Sequence, residues 1–167
     1  IEDSLQRLWQ CSTVQIDFNI PKRFSMSLIN EDGEEEKPVM IHRALLGSLE
    51  RFFGILVEHY AGAFPTWLAP VQALILTVTD RNIPYAEELF KTLSDAGVRV
   101  KGDFRNEKLG LKVREAQLQK VPYMAIVGDK ECENKGVTPR LRSGHNLPLM
   151  TAKELIDMIS EECRKRR

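Results

Sequence analysis

The sequence predicts an α/β protein with two parts of different architecture, and three observations carry this. Residues 1–61 contain short strand patterns closed by one amphipathic helix. Residues 71–167 alternate apolar strands with helices, which implies a mostly parallel or mixed sheet covered by helices. Between them Ala61–Pro70 (AGAFPTWLAP) places two prolines and a glycine where no regular element can continue. Residues 62–70 are therefore read as a linker, although Phe64, Trp67 and Leu68 suit packing.

The elements follow in order. Thr13–Phe18 alternates at period two, a strand with one wet face. Phe24–Leu28 is a second strand candidate, Asn30–Lys37 (NEDGEEEK) a charged turn, and Val39–Ala44 a third strand. A helix from Ser48 to about Tyr60 carries a stripe of Leu49, Phe52, Phe53, Leu56, Val57 and Tyr60. Farther on, Val71–Val78 reads as a buried strand, Pro84–Ala96 as a helix stopped at Gly97, and Val98–Lys101 as a strand. Leu109–Gln119 is a helix, Pro122–Val127 a buried strand and Val137–Leu141 an edge strand. Thr151–Arg164 is a final helix with Thr151 as cap and Glu154 three residues on.

Composition sets bounds. The 167 residues are 43% hydrophobic and 29% charged, an ordinary globular composition for one or two small domains. No apolar run is long enough to span a membrane. Cys11, Cys132 and Cys163 are odd in number and scattered, which fits reduced intracellular thiols and no disulfide framework. The zero net charge hides an asymmetry. Residues 1–70 hold 6 Lys/Arg against 10 Asp/Glu, and residues 71–167 hold 18 against 14. Arg99–Lys120 has seven bases and three acids, a basic stripe that fits either a polyanion or a solvated face.

The chemistry concentrates in Pro38–Phe52, PVMIHRALLGSLERF. Gly47 lets another backbone or a ligand come close, Ser48 can cap the new helix, and Arg51 brings a guanidinium fork suited to phosphate. Spacing alone gives only a weak nucleotide-phosphate site. Arg51 could equally be a surface partner of Glu50 or Glu58, and His42 alone in an apolar strand reads as a satisfied core residue. Thr13 and Gln15 share one face of their strand.

The words WQCSTVQIDF (Trp9–Phe18), VMIHRALLGSLERF and FPTWLAPVQ (Phe64–Gln72) resemble the threonyl-tRNA synthetase family, with VMIHRALLGSLERF as motif 3 of the class II aminoacyl-tRNA synthetases. The resemblance implies that residues 1–61 are the carboxyl-terminal part of a class II antiparallel-sheet catalytic domain. Residues 71–167 would then be an anticodon-binding domain with a five-stranded, mostly parallel or mixed sheet. It implies an ATP site of Gln10, Thr13, Gly47, Ser48 and Arg51, with Arg51 the catalytic residue at the phosphates and ATP used with Mg2+. Gln15 and His42 would bind threonine, His42 as one of three protein ligands to Zn2+, the other two lying upstream. Asn106, Arg114, Lys120, Glu131 and Arg140 would contact the anticodon, Lys120 standing where arginine is common. The implied activity of the parent is threonine–tRNA ligation by a cytoplasmic homodimer acting on threonine, ATP and tRNA(Thr), with an organellar form left open. The fragment alone is expected to be inactive and residues 1–61 poorly stable. The rival readings are a non-catalytic tRNA-binding accessory protein, another class IIa synthetase such as the prolyl or histidyl type, and, from the βα pattern after Val71 alone, a flavodoxin-like regulatory module.

Overall fold

The computed structural model describes residues 1–166, which form two compact units, Ile1–Tyr60 and a second from Ala61 onward. In the first, β1 (Thr13–Asp17) pairs antiparallel with β4 (Met40–Ala44), and Gln15 lies directly opposite His42. The segment after β1 departs from the expected strand at Phe24–Leu28. Asp17 Oδ1 accepts the Asn19 and Ile20 amides at 2.7 and 3.0 Å, which caps a short α1 (Asn19–Arg23). Only Leu28–Ile29 (β2) becomes extended, pairing with β3 (Glu35–Glu36) inside the expected charged turn. Asn30 Oδ1 closes that turn by accepting the Asp32 and Glu34 amides.

The helix α2 (Leu49–Tyr60) begins where Ser48 Oγ accepts the Arg51 amide at 3.4 Å. Of its residues Ile55 is buried, whereas Leu49 and Phe53 of the predicted stripe are exposed. Val14, Ile16 and Ile41 share the ladder face turned away from Gln15 and His42, and all three are exposed.

In the second unit, β5 (Ala73–Thr77) runs parallel to both β6 (Val100–Asp103) and β7 (Tyr123–Val127). The edge strand β8 (Thr138–Leu141) pairs antiparallel with β7, giving the order β6-β5-β7-β8. The sheet is mixed, as expected, but has four strands where five were expected; an isolated antiparallel bridge joins Val137 to Met150. Both faces of the sheet are covered. Ala73, Ile75, Tyr123, Ala125 and Val127 pack with Ala86, Leu89 and Leu93 of α3 (Ile83–Asp95). The same cluster takes Leu155 and Ile159 of the last helix, Ala152–Lys165. Leu74, Leu76 and Met124 face the other way, onto Ala116 of α4 (Leu109–Leu118). Two covered faces explain why β5 is apolar without alternation.

A short helix the sequence does not announce, α5 (Asp129–Glu133), follows β7, and the last helix is α6. The Thr151–Glu154 capping box expected for α6 is present, Glu154 N bonding Thr151 Oγ1 and Thr151 N bonding Glu154 Oε2. Helix α3 ends with Gly97 at φ +82°, and Val98 is buried in that turn instead of opening β6. The segment read as a linker is bonded to this unit. Arg99 donates to the carbonyls of Ala69 and Trp67, and Thr66 Oγ1 donates to Glu162 Oε2 at 2.6 Å.

Candidate functional site

Two groups of predicted residues occupy the two units. In the first unit, Thr13, Gln15 and His42 lie on one face of the β1–β4 ladder, because directly paired residues project to the same side. The ring Nε2 of His42 is 3.2 Å from Asp17 Oδ2. Amides of Ile20 and Asn19, and then His42, hold the Asp17 carboxyl below the usual carboxylate range. The His42 side chain is half exposed, so the imidazole is accessible to a metal ion. Among the described residues no group of three or more His, Cys, Asp and Glu is placed to hold a metal. His42 thus offers a single donor, and the described residues do not by themselves complete a metal site.

The strand-to-helix junction gathers the remaining residues of this group. Gly47 has φ +67°, and a Cβ there would stand 3.1 Å from the Cys11 carbonyl and 3.6 Å from that of Gln10. The missing side chain is what allows the junction to lie against Gln10-Cys11. Ser48 Oγ donates to Glu50 Oε2 at 2.7 Å, and Glu58 accepts from Arg7. Both carboxylates that could have paired with Arg51 are therefore engaged elsewhere. The Arg51 guanidinium lies 5.4 Å from the centre of the Trp9 ring, and among the described residues it has no ion pair. It is an uncompensated cation, chemically suited to phosphate. Trp9 as its neighbour was missed from sequence; its nearness to Gln10 was the available signal.

In the second unit Asn106 sits on the loop leaving the carboxyl end of β6, and Glu131 on α5 just past the carboxyl end of the parallel β7. Arg114 lies on the exposed side of α4. Arg140 pairs with Met124, which puts it on the face of the sheet that α4 covers. Lys120 lies past the far end of α4, about 9 Å along the axis from Arg114. The side chains of Asn106, Arg114 and Lys120 make no hydrogen bond or ion pair among the described residues. Glu131 is already used: it accepts Gly128 N at 2.9 Å and Thr138 Oγ1 at 2.6 Å, tying α5 to β8. Arg140 Nη1 donates to Asn146, while its Nε is buried with no partner among the described residues. Lys120 has φ +59°, the left-handed position after α4, with Lys120 N bonded to Gln117 O and Val121 N to Ala116 O.

Sequence reasoning also missed Lys112. Its side chain is buried, and Nζ donates to Thr77 O, Thr77 Oγ1 and Asp103 O at 3.0–3.3 Å. It locks together the carboxyl ends of β5 and β6, from which the Asn106 loop departs. Asp103 in turn bonds Arg105, which lowers its pKa, and Arg105 reaches Glu115 of α4. The signal in the sequence was a lysine within the Leu109, Val113, Ala116 stripe.

Comparison with known proteins identifies both units. Residues 72–162 match the family described as "Anticodon binding domain", and residues 1–60 match the "tRNA synthetase class II core domain (G, H, P, S and T)". The chain is 57% identical over 162 residues to the threonine--tRNA ligase of Citrifermentans bemidjiense, covering 97% of this chain and 26% of that protein. It is 58% identical over 163 residues to that of Oleidesulfovibrio alaskensis, covering 98% and 25%. The chain thus spans about a quarter of the length of these relatives. A crystal structure of the RNA binding domain of threonyl-tRNA synthetase from Cryptosporidium parvum superposes with a TM-score of 0.88 at 36% identity, covering 96% of this chain and 41% of that one. A prolyl-tRNA synthetase from the same organism shares the fold, with a TM-score of 0.66 at 23% identity over 93% of this chain and 34% of that one. The chain therefore belongs to the threonyl-tRNA synthetase family, a class II core segment followed by an anticodon binding domain.

Proposed function

We propose that the protein carrying this chain is a threonine–tRNA ligase: it joins threonine and ATP into threonyl-adenylate, releases pyrophosphate, and passes threonine to tRNA(Thr). The observation that carries this reading is the identity of 57% to such a ligase over 97% of the chain, through both units. Arg51 meets the ATP phosphates, where a charge-assisted contact shielded from water contributes about 2–4 kcal/mol to the transition state. Gln10, Thr13, Gly47 and Ser48 line the nucleotide, with Gly47 holding the junction against Gln10-Cys11. Gln15, cross-strand from His42, binds threonine. His42, with two ligands from outside this chain, would hold a zinc ion, which when bound would supply a Lewis acid for the amino group and hydroxyl of threonine. That requirement separates threonine from valine, which an apolar pocket does poorly. No residue here acts as a covalent nucleophile; the chain contributes orientation and electrostatics. ATP acts with Mg2+, and the active form is a cytoplasmic homodimer.

The second unit reads the anticodon through Asn106, Arg114, Lys120, Glu131 and Arg140. Unengaged side chains at Asn106 and Arg114 support this, since splayed bases are read by free hydrogen-bonding edges. Threonine anticodons share a G-U pair of letters, so changing either base should weaken binding by about 1–3 kcal/mol. Binding of the protein to threonine tRNA and to anticodon variants, titrated with salt, tests this. Equal binding to all of them would remove the anticodon reading and favour an accessory RNA-binding role.

A further inference from the structure

We propose that Trp9, pinned by the buried Asp3, is a positioning platform for Arg51, holding its guanidinium over the ring while leaving its N–H groups open to phosphate. This rests on the assignment of Arg51 to the ATP phosphates and adds residues that assignment does not contain. Asp3 is 6% exposed. Its carboxylate accepts four hydrogen bonds: Leu5 N at 2.9 Å and Arg7 N at 2.8 Å on Oδ1, Arg7 Nε at 2.6 Å and Trp9 Nε1 at 2.8 Å on Oδ2. Burial pushes the Asp3 pKa up, but the bonds from Trp9, Arg7 and Leu5 outweigh it and hold the carboxyl far below the usual range. The Asp3 carboxylate thus fixes the edge of the indole. Trp9 N donates to Ile1 O at 2.8 Å, so its backbone is fixed as well.

The ring then faces Arg51. An arginine in the first turn of a helix has many rotamers, and ordering it costs entropy. A carboxylate partner would order it too, but would occupy the donors and offset the charge that phosphate needs. An aromatic face attracts the cation through its quadrupole and takes neither. Glu50 and Glu58, the acids nearest in sequence, are held by Ser48 and Arg7. Arg7 also lies on the Trp9 ring, 5.6 Å from its centre, but it is neutralised by Asp3 and Glu58. Arg51 is the guanidinium left uncompensated on the platform.

The test is threonine-dependent ATP–pyrophosphate exchange in the complete synthetase that contains this chain, with active sites titrated. Trp9→Leu should raise the KM for MgATP by about fivefold to tenfold and leave the KM for threonine within about twofold. Trp9→Phe keeps a ring face and should recover the MgATP KM to within about threefold of wild type. Asp3→Asn, a smaller change that also covers a Trp9→Leu protein that does not fold, should raise it by about twofold to threefold. In an Arg51→Ala background Trp9→Leu should add nothing. An unchanged MgATP KM, an equal rise for threonine, or an undiminished Trp9 effect without Arg51 overturns the proposal. If instead Arg51→Ala itself leaves MgATP KM and turnover unchanged, the assignment of Arg51 to phosphate falls.

Discussion

The two units treat their central strands in opposite ways. All five residues of β5 are buried between helices on both faces, whereas no residue of β1 is fully buried. In the second unit the apolar residues of β5 pack with helices of the same unit on both faces. In the first, Val14, Ile16, Ile41, Phe18 and Phe53 are all more than half exposed. A two-stranded ladder with one helix cannot cover both its faces, and such pairs are marginal on their own. The second unit thus supplies its own stability, while the first presents chemistry on a scaffold with little interior.

This contrast has consequences that can be measured. The largest concerns the units in isolation: residues 61–167 should unfold in one cooperative transition, while residues 1–60 should show none and associate. Calorimetry and sedimentation of the separate pieces would read this, and a cooperative transition from 1–60 would break the comparison. Equivalent truncations should be the next largest effect. Leu93→Ala empties a fully buried site and should cost about 2–5 kcal/mol in urea unfolding. Ile16→Ala removes as much hydrocarbon from a site 62% exposed and should stay within about 0.5 kcal/mol. Equal costs would mean that the first unit has an interior after all.

The smallest effect sharpens the role of the basic stripe. Lys120 stands where α4 turns left-handed, a conformation glycine adopts freely and lysine does not. Lys120→Gly should therefore leave stability unchanged or raise it by up to about 1 kcal/mol. If Lys120 meets RNA, the same variant should weaken binding and reduce the salt slope by about one. A stable variant with unaltered binding would assign Lys120 to the turn alone.

Much of this was legible in the sequence. Alternation in Thr13–Asp17, the unbroken ALIL of β5, the stop at Gly97 and the Thr151–Glu154 box are local signals, and each marks an element that forms. The misses had local causes too. Asp17 capping Asn19–Arg23 competes with the strand pattern that follows, and a five-residue helix at Asp129 has too few turns to show periodicity. The junction of Gly47, Ser48 and Arg51 stood out through its resemblance to a known motif, since its spacing alone is a weak signal.

The sequence by itself determined most of the element types and the break near Ala61, since these follow from periodicity, breakers and caps within a few residues. Tertiary structure alone decided the partners. It set Gln15 across from His42, buried Lys112 under the ends of β5 and β6, tied Thr66 to Glu162, and diverted Glu50 and Glu58 so that Arg51 meets Trp9. Those choices depend on which groups, distant along the chain, compete for the same charge or cavity once it folds, and no local pattern encodes that competition.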